Sequence, residues 1–179
     1  MSSSQRIEDY ALIGDCASAA LVGCNGSIDW LCLPRFDSPA CFAALLGQPE
    51  HGRWLIEPVA PPARIERQYM GGSLVLITMF ETSKGAIEVV DFMRPRRRLS
   101  HLVRLVRGLR GRVVMRTEFV LRFDYGSVVP WVERLPEGGI SATGGPDRVV
   151  LRTPAALRGE DFKRWGNFPS APMRPCRSS

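Results

Sequence analysis

The sequence lacks the features that would direct a chain into or across a membrane. Its first residues, Met1 to Gln5, are polar and are followed by Glu8 and Asp9, so they contain no apolar core of a signal peptide. No apolar run elsewhere approaches the roughly 20 residues that a helix needs to cross a bilayer. The sequence therefore predicts a cytoplasmic protein with no membrane partner.

Closely spaced metal ligands are also missing. The chain has five cysteines, but Cys16, Cys24, Cys32 and Cys41 are eight or nine residues apart and form no C-x-x-C pair. Zinc sites are typically built from ligand pairs separated by only a few residues. We therefore predict no metal and no cofactor, and we interpret the cysteines as reduced, mostly buried thiols.

Motifs of nucleophilic and phosphate chemistry are absent as well. Neither G-x-S-x-G nor H-E-x-x-H occurs, and His51 and His101 have no orienting partner nearby in the sequence. The glycine pairs precede strands and open no helix, so no phosphate loop is predicted. Glycoside hydrolysis needs two carboxyl groups. Five acidic residues are candidates by type: Asp29, Asp37, Asp91, Asp124 and Glu133. Their spacing does not select a pair, so none is assigned a catalytic role.

Lysine is scarce, although the chain is basic. The net charge is +6, and all but Lys84 and Lys163 of the 24 cationic residues are arginine. The only dense cluster is Arg94-Pro95-Arg96-Arg97-Arg98, which fits either a grip on phosphate or nucleic acid or the solvated end of a hairpin. No aromatic residues interleave with it to stack bases, so we predict no nucleic-acid partner.

Alternation of apolar and polar residues is abundant and indicates strands. In the clearest run, residues 112–123, apolar positions recur every second residue, while Arg116, Glu118 and Arg122 fall on the opposite, wet face. This run is predicted to pair with residues 101–109 around Arg110-Gly111. Turn signals separate the other predicted strands, at 19–23, 27–33, 52–58, 64–70, 73–81, 86–93, 128–135, 139–143 and 148–152. The pattern predicts an all-β fold, an antiparallel β-sandwich of two sheets.

Two segments depart from this strand pattern. Residues 39–47 are the one helix candidate, a short one, with Ser38 as a possible N-cap, Pro39 in the first turn and Gly47 as the stop. After Gly159 the strand period is lost and Pro and Ser become frequent, which predicts an irregular or disordered tail. We therefore divide the chain into a sandwich domain, residues 1–160, and a tail, residues 161–179.

The stretch from Asn25 to Phe42 is the part of the sequence most suggestive of a binding task. Asn25-Gly26 is a strong signal for a tight hairpin turn. The second arm of this hairpin carries Trp30 and ends at Pro34. The loop that follows holds an arginine, an aromatic ring and a carboxylate in succession: Arg35, Phe36 and Asp37.

This loop has two interpretations that the sequence leaves open. An aromatic ring and planar charged groups are what sugar-binding sites use against C–H faces and vicinal hydroxyls. Alternatively, Arg35 and Asp37 form a local surface ion pair above a buried Phe36. The first interpretation gives the loop a role in binding, and the second gives it a structural one.

A series of motifs in order resembles the opening of bacterial glycoside hydrolase family 15 proteins, the glucoamylase-like enzymes and trehalases. The similarity extends from Ile7 to about Glu160 and matches the trehalase-like N-terminal domain of that family. Its motifs are Ile7 to Asp15, Ala19 to Gly23, Gly26 to Phe42, Val89 to Met93, Leu109 to Val113, Arg122 to Gly126 with Pro130-Trp131, and Val150 to Pro154. No single motif is specific, but their order along the chain is.

The resemblance implies a supersandwich-like β-domain that precedes an (α/α) barrel carrying both catalytic carboxylates. At 179 residues this chain has no room for such a barrel, so a truncation or a shifted reading frame is expected. The family's acid and base then map onto no residue here, and the chain is expected to be inactive alone. Trp30, Arg35, Phe36 and Asp37 are expected at the rim of the sugar pocket or in an interdomain loop.

Two classes of function follow from these expectations. The first is a non-catalytic domain of an α-glucoside or trehalose hydrolase, with the barrel as its partner. When this partner is missing, an apolar patch is expected to be exposed. The second is a free-standing module that binds a carbohydrate or another protein.

Overall fold

The alternating segments form strands in a computed structural model that describes residues 5–160 and 163–170. Short 3-10 turns occur at Ile7–Asp9, Ala44–Leu46, Pro49–His51 and Asp124–Gly126. In chain order the strands of these described ranges are β1 Tyr10–Gly14, β2 Ala19–Gly23, β3 Ser27–Cys32, β4 Ala40–Phe42, β5 Arg53–Pro58, β6 Arg64–Tyr69, β7 Leu76–Thr82, β8 Gly85–Met93, β9 Leu102–Gly111, β10 Val114–Val120, β11 Trp131–Arg134, β12 Ile140–Gly144, β13 Asp147–Leu151, β14 Arg158–Glu160 and β15 Lys163–Pro169.

These strands pair into three antiparallel sheets. The large sheet has the order β1-β2-β3-β5-β10-β15-β14, with β4 beside β3. The second sheet is β6-β7-β8-β9, and a third contains β11-β12-β13. The predicted all-β antiparallel sandwich is therefore confirmed, with a small third sheet that the sequence did not separate from the other two.

Apolar side chains from facing sheets fill the interior. Ile56 and Met115 of the large sheet pack against Phe80 and Ile87 of the second sheet. A second cluster continues along the large sheet through Ile28 and reaches the third sheet. The predicted alternation of β10 is confirmed, because Met115, Thr117 and Phe119 are buried; Val113, just before the strand, is buried as well.

A buried arginine links the two main sheets. Arg104 on β9 lies opposite Asp91 on β8, and Nε and Nη2 donate to the two carboxylate oxygens at 2.8 and 3.2 Å. Nη2 also donates to the carbonyl oxygen of Gly26 at 2.7 Å, and Nη1 donates to that of Trp54. The Arg104 and Asp91 side chains are 0% and 1% exposed. The guanidinium thus connects the second sheet to the backbone of the large sheet.

The hairpin turn predicted at Asn25-Gly26 is confirmed and brings Gly26 to this junction. Gly26 has a φ of +82°, and a Cβ there would lie 2.3 Å from the carbonyl oxygen of Ile56. The carbonyl oxygen of Gly26 also accepts from the amide of Ile56 at 3.1 Å. Glycine is required at this position both for the left-handed backbone and for the close approach of β5.

The helix predicted over residues 39–47 is wrong. Ala40–Phe42 forms β4, which pairs with β3 through Leu31 and Phe42, and only Ala44–Leu46 makes a 3-10 turn. All three β4 residues are buried, whereas a surface helix would bury only one side. Tertiary pairing therefore overrides the capping signals, and the Ser38 side chain accepts from the amide of Arg35 instead of capping a helix.

Two further expectations about β9, β10 and their flanks need correction. The strands β9 and β10 do not pair with each other, since β9 pairs with β8 and β10 with β5 and β15, so the chain crosses between sheets after Gly111. Arg122 is buried and not on a wet face; its Nη1 donates to the carbonyl oxygen of Leu121 at 2.7 Å. Desolvation lowers the pKa of Arg122.

The predicted irregular tail is wrong for residues 163–169. Lys163–Pro169 forms β15, which lies between β10 and β14 in the large sheet. Its apolar residues are spaced too unevenly for a period-two signal, yet backbone pairing on both sides gives it a partner for its amides. Ser170, directly after β15, is buried, and its amide donates to the carbonyl oxygen of Val113 at 2.9 Å. Residues 161–162 and 171–179 of the predicted tail lie outside the described residues, and the domain boundary at residue 160 stays a prediction.

Among the residues described, no helix has the length and apolarity required to cross a bilayer.

Replacing the buried cation should test how far the sandwich depends on it. We expect Arg104→Ala to lower the free energy of unfolding by about 3–5 kcal/mol, because the Asp91 carboxylate would remain buried without its partner. Urea-induced unfolding followed by fluorescence measures this change. Arg110→Ala on the same strand is the matched control: Arg110 pairs with Glu81 at the surface, so the expected loss is below about 1 kcal/mol. Equal, small losses for both variants would contradict the prediction.

Candidate functional site

The loop after β3 is held to the sandwich by its backbone. The amide of Phe36 donates to the carbonyl oxygen of Ala17 at 3.0 Å, which ties the loop to the β1–β2 connection. The amide of Ser38 donates to the carbonyl oxygen of Arg35 at 3.1 Å and closes a turn around Phe36 and Asp37. These bonds fix where the candidate side chains leave the backbone.

Arg35 and Asp37 form a two-point ion pair at the surface. Nε and Nη2 of Arg35 donate to the two carboxylate oxygens of Asp37 at 2.8 and 3.3 Å. The hydrogen bond from Arg35 is the main reason that the pKa of Asp37 lies below its usual range. The side chains are 68% and 71% exposed, so solvent screens the pair. The local ion pair of the structural interpretation is therefore present.

Phe36 departs from that interpretation. It is 61% exposed and is not buried beneath the ion pair. An aromatic ring, a guanidinium and a carboxylate are thus presented together to solvent on one short loop. This arrangement is open to a ligand or to another protein surface.

Trp30, the fourth predicted site residue, has different neighbours. Its half-buried side chain packs against Cys32, Ala40 and Ala43. Its ring lies 6.1 Å from that of Tyr125, centroid to centroid. Within the described residues, no hydrogen bond, ion pair or ring contact joins Trp30 to Arg35, Phe36 or Asp37, so the structure places Trp30 with Tyr125 and the other three residues together.

The arginine-rich loop contacts the candidate loop directly. Nη1 of Arg96 donates to the carbonyl oxygen of Pro34 at 2.6 Å. Arg94, Arg97 and Arg98 are exposed and form no ion pair with any described residue. Sequence reasoning treated the two loops separately, because the contact spans 62 positions and no local pattern signals it.

The five carboxylates that the sequence offered are engaged one by one with different partners. Asp91 pairs with Arg104, Asp37 with Arg35, and Glu133 accepts from the indole of Trp131. Asp124 accepts from the Ser127 hydroxyl. Asp29 is buried and accepts from the hydroxyls of Tyr10 and Ser27. Burial, followed by the bond to Asp29, raises the pKa of Tyr10.

The thiols and possible metal ligands add no reactive centre in the described part of the chain. The cysteines described there are free: Cys32 and Cys41 are buried, as predicted, but Cys16 is exposed and Cys24 only half-buried. Desolvation raises the pKa of Cys41 to about 12, which keeps it protonated and inert at neutral pH. Residues 5–160 and 163–170 contain no group of three or more His, Cys, Asp and Glu side chains placed to hold a metal ion.

A second exposed surface, which sequence reasoning missed, follows the 3-10 turn at Asp124–Gly126. Tyr125, Val128, Val129 and Trp131 are all exposed, and Trp131 is 74% exposed. Val129 and Trp131 line a groove of about 320 Å³ between the third sheet and the large sheet. Its lining includes Phe119, Leu121, Val129, Trp131, Ile140 and Arg164. The signal available in the sequence was an apolar run, 128–132, that does not alternate as a half-buried strand should.

The turn before this surface has an unusual backbone. Asp124, Tyr125 and Gly126 have φ values of +50°, +57° and +103°. A left-handed conformation is natural for glycine and tolerated by aspartate, but it is strained for tyrosine. A Cβ at Gly126 would lie 3.1 Å from Cα of His51. The turn therefore fits tightly against the 3-10 turn Pro49–His51 and directs the chain towards β11.

Titration of Asp37 should test the ion pair in solution. We expect the carboxyl of Asp37 to titrate below its usual pKa of about 3.9, and to return towards that value in Arg35→Ala, because Arg35 is the main cause of the shift. The stabilisation by the pair is present above the usual pKa and disappears as the pH falls through the lowered one. NMR chemical shifts of the side chain against pH measure both. An unchanged pKa in the variant would contradict the pair.

The comparisons with known proteins give the family. Residues 2–158 match the family model "Trehalase-like, N-terminal". Trehalase 1 of Sulfolobus acidocaldarius is 34% identical over 132 residues, which are 74% of this chain and 22% of that protein. A trehalase of Thermoplasma volcanium is 27% identical over 93% of this chain and 28% of its own length. A trehalase of Mycolicibacterium smegmatis is 38% identical over 48% of this chain and 13% of its own.

No solved structure matches the chain. The chain spans at most 28% of the length of these three relatives. The motifs, the antiparallel sandwich and the family match agree: the chain belongs to the trehalase-like N-terminal domain family.

Proposed function

We propose that this chain acts as the non-catalytic N-terminal β-sandwich of a glycoside hydrolase family 15 enzyme, glucoamylase-like or a trehalase, that cleaves α-glucosides or trehalose. It packs on and stabilises an (α/α) barrel that holds the catalytic carboxylates. A cytoplasmic location is part of this proposal. The observation that carries the proposal is the match of residues 2–158 to the trehalase-like N-terminal family model. The chain corresponds to only 22% of the length of Sulfolobus acidocaldarius trehalase 1.

The carboxylates of the chain support a non-catalytic role. Hydrolysis of a glycosidic bond needs two carboxyl groups on either side of it, one of them protonated. Asp91 and Asp29, the two buried candidates, are held by Arg104 and by the Tyr10 and Ser27 hydroxyls in separate structural contacts. The other three bond to close sequence neighbours at the surface. Each of the five therefore has a structural partner that accounts for its position.

The loop after β3 supports a contribution to the pocket rim. Arg35, Phe36 and Asp37 are solvent-exposed on a loop whose backbone is fixed. In the complete enzyme these side chains would bind sugar hydroxyls at the edge of the barrel's pocket, or brace the barrel loops that do. The ion pair keeps Arg35 oriented before either contact forms.

A free-standing carbohydrate- or protein-binding module is the second candidate. The observation that favours it is Trp131, an exposed indole beside a groove, because exposed aromatic rings stack on the C–H faces of sugars. This candidate needs no catalytic partner.

Activity and mutual stabilisation discriminate between the two candidates. The chain alone should not hydrolyse trehalose or maltooligosaccharides. A chimera in which this chain replaces the matching segment of Sulfolobus acidocaldarius trehalase 1 should hydrolyse trehalose and unfold as one unit. Calorimetry of the chimera and of the isolated chain measures this. Hydrolysis by the chain alone, or two independent transitions in the chimera, would refute the proposal.

Truncating Arg35 in the chimera tests the pocket rim. We expect Arg35→Ala to raise KM for trehalose about tenfold, which corresponds to the loss of a charged hydrogen bond of roughly 1.5 kcal/mol. Arg64→Ala is the matched control, since Arg64 forms an exposed pair with Glu66 at the same spacing on β6. Steady-state kinetics measures both variants. Equal kinetics for the two variants would show that Arg35 has a structural role instead.

A further inference from the structure

We propose that the catalytic domain packs on the apolar surface formed by Tyr125, Val128, Val129 and Trp131, with one of its apolar side chains inserted in the adjoining groove. This inference rests on the proposed function, because it names the surface through which the two domains meet. It differs from the pocket-rim role of Arg35, Phe36 and Asp37, which concerns contact with sugar.

The exposure of these side chains is the first argument. Single exposed apolar residues are normal on a protein surface, whereas contiguous ones mark interaction sites. Four of the seven residues from Tyr125 to Trp131 are exposed large apolar side chains. Tryptophan and tyrosine are also the residues most enriched among those that dominate interface energies. Trp131, at 74% exposure, is the most exposed large apolar side chain in the described residues.

The surface is also held in a defined shape before any partner binds. Phe123 and Val128 pair through reciprocal backbone hydrogen bonds of 2.9 and 3.0 Å. The indole of Trp131 donates to Glu133 at 3.3 Å, and the ring of Tyr125 contacts that of Trp30. Side chains that are ordered in advance lose less entropy on binding. The left-handed turn at Asp124 and Tyr125 places Tyr125 in this arrangement.

The groove is an opening in the core of the sandwich. Its lining includes Phe119, Leu121, Ile140 and Ala142, which belong to the main apolar cluster, while Val129 and Trp131 lie at its exposed side. About 320 Å³ is at the small end of ligand pockets. An apolar side chain from a neighbouring domain would continue the core into that domain.

The chemistry of the lining favours a protein side chain over a sugar. Among the described residues that line the groove, Arg164 is the one with a charged side chain. A sugar has hydroxyls around its ring and needs several polar groups to bind them. The centres of protein interfaces, in contrast, are depleted of charge and rich in aromatic residues.

The lengths of the relatives identify the occupant. In the trehalases of Mycolicibacterium smegmatis, Sulfolobus acidocaldarius and Thermoplasma volcanium, at least two thirds of each protein lies outside the matched segment. A domain joined covalently to the sandwich has a high effective concentration at its surface, so a small apolar contact suffices. Interfaces between domains of one chain are correspondingly modest, about 600–1,500 Å².

Hydroxyl-radical labelling of the isolated chain and of the chimera tests the surface. We expect oxidation of Trp131 to be fast in the chain alone and at least about tenfold slower in the chimera, where the catalytic domain would cover it. Leu109, which is exposed at the end of β9 remote from the arginine-rich loop, is the internal control and should react equally in both. Mass spectrometry of peptides quantifies each rate.

A substitution separates docking from intrinsic stability. Trp131→Ser should leave the unfolding midpoint of the isolated chain within about 1 °C, since the side chain is exposed. In the chimera it should lower the midpoint by about 4 °C or more, because an interface anchor is lost. Leu109→Ser, at an exposed position remote from that surface, should shift both midpoints equally.

Several results would overturn the inference. If Trp131 stays reactive in a chimera that unfolds as one unit, the interface lies elsewhere while the proposed function stands. If no residue is protected and the two parts unfold independently, both the inference and the proposed function are refuted. Maltoheptaose that protects Trp131 in the isolated chain would assign the surface to a sugar. A dimer by sedimentation velocity that protects it would assign the surface to a second copy.

Discussion

The contact of Arg104 with Asp91 and with two backbone carbonyls is the interaction on which the sandwich depends. Apolar packing between sheets is tolerant of small shifts, since one methyl group replaces another at little cost. The Arg104 guanidinium does not tolerate such shifts, because it must reach Asp91 on its own sheet and Gly26 and Trp54 on the other sheet. A slip in alignment would leave a buried carboxylate or carbonyl without its donor. We infer that this network selects one relative position of the two main sheets.

The position of the sheets in turn determines what the loops present to solvent. Gly26 holds the β2–β3 hairpin against β5, so β3 leads the chain into the loop that carries Arg35, Phe36 and Asp37. The β8–β9 connection, which carries the arginine cluster, emerges beside this loop and reaches Pro34 through Arg96. The third sheet leaves the apolar surface around Trp131 uncovered. The charged loop and the apolar surface thus lie on different connections of one sandwich.

Much of the fold was predictable because strands carry a local signature. The Asn25-Gly26 turn and the alternation of β10 arise from backbone sterics and one-sided burial, which depend only on neighbouring residues. The helix at 39–47 and the pairing of β9 with β10 were wrong, since both depend on which distant strand is available. β15 was missed for the same reason. The candidate loop was located in the sequence. The exposure of Phe36 and the contact between Pro34 of this loop and Arg96 of the arginine-rich loop were not predicted.

The sequence by itself determined the class of fold and the family, because turn residues, alternation and motif order depend on residues close together in the chain. A binding role for the loop at Arg35, Phe36 and Asp37 stays a prediction. Only the tertiary structure decided that Arg104 and Asp91 bury their charges together, that Trp30 contacts Tyr125 and that Trp131 stands exposed above an apolar groove. These facts join residues far apart in the chain. The free energy of desolvation that governs them depends on what surrounds each group in three dimensions and not on its neighbours in sequence.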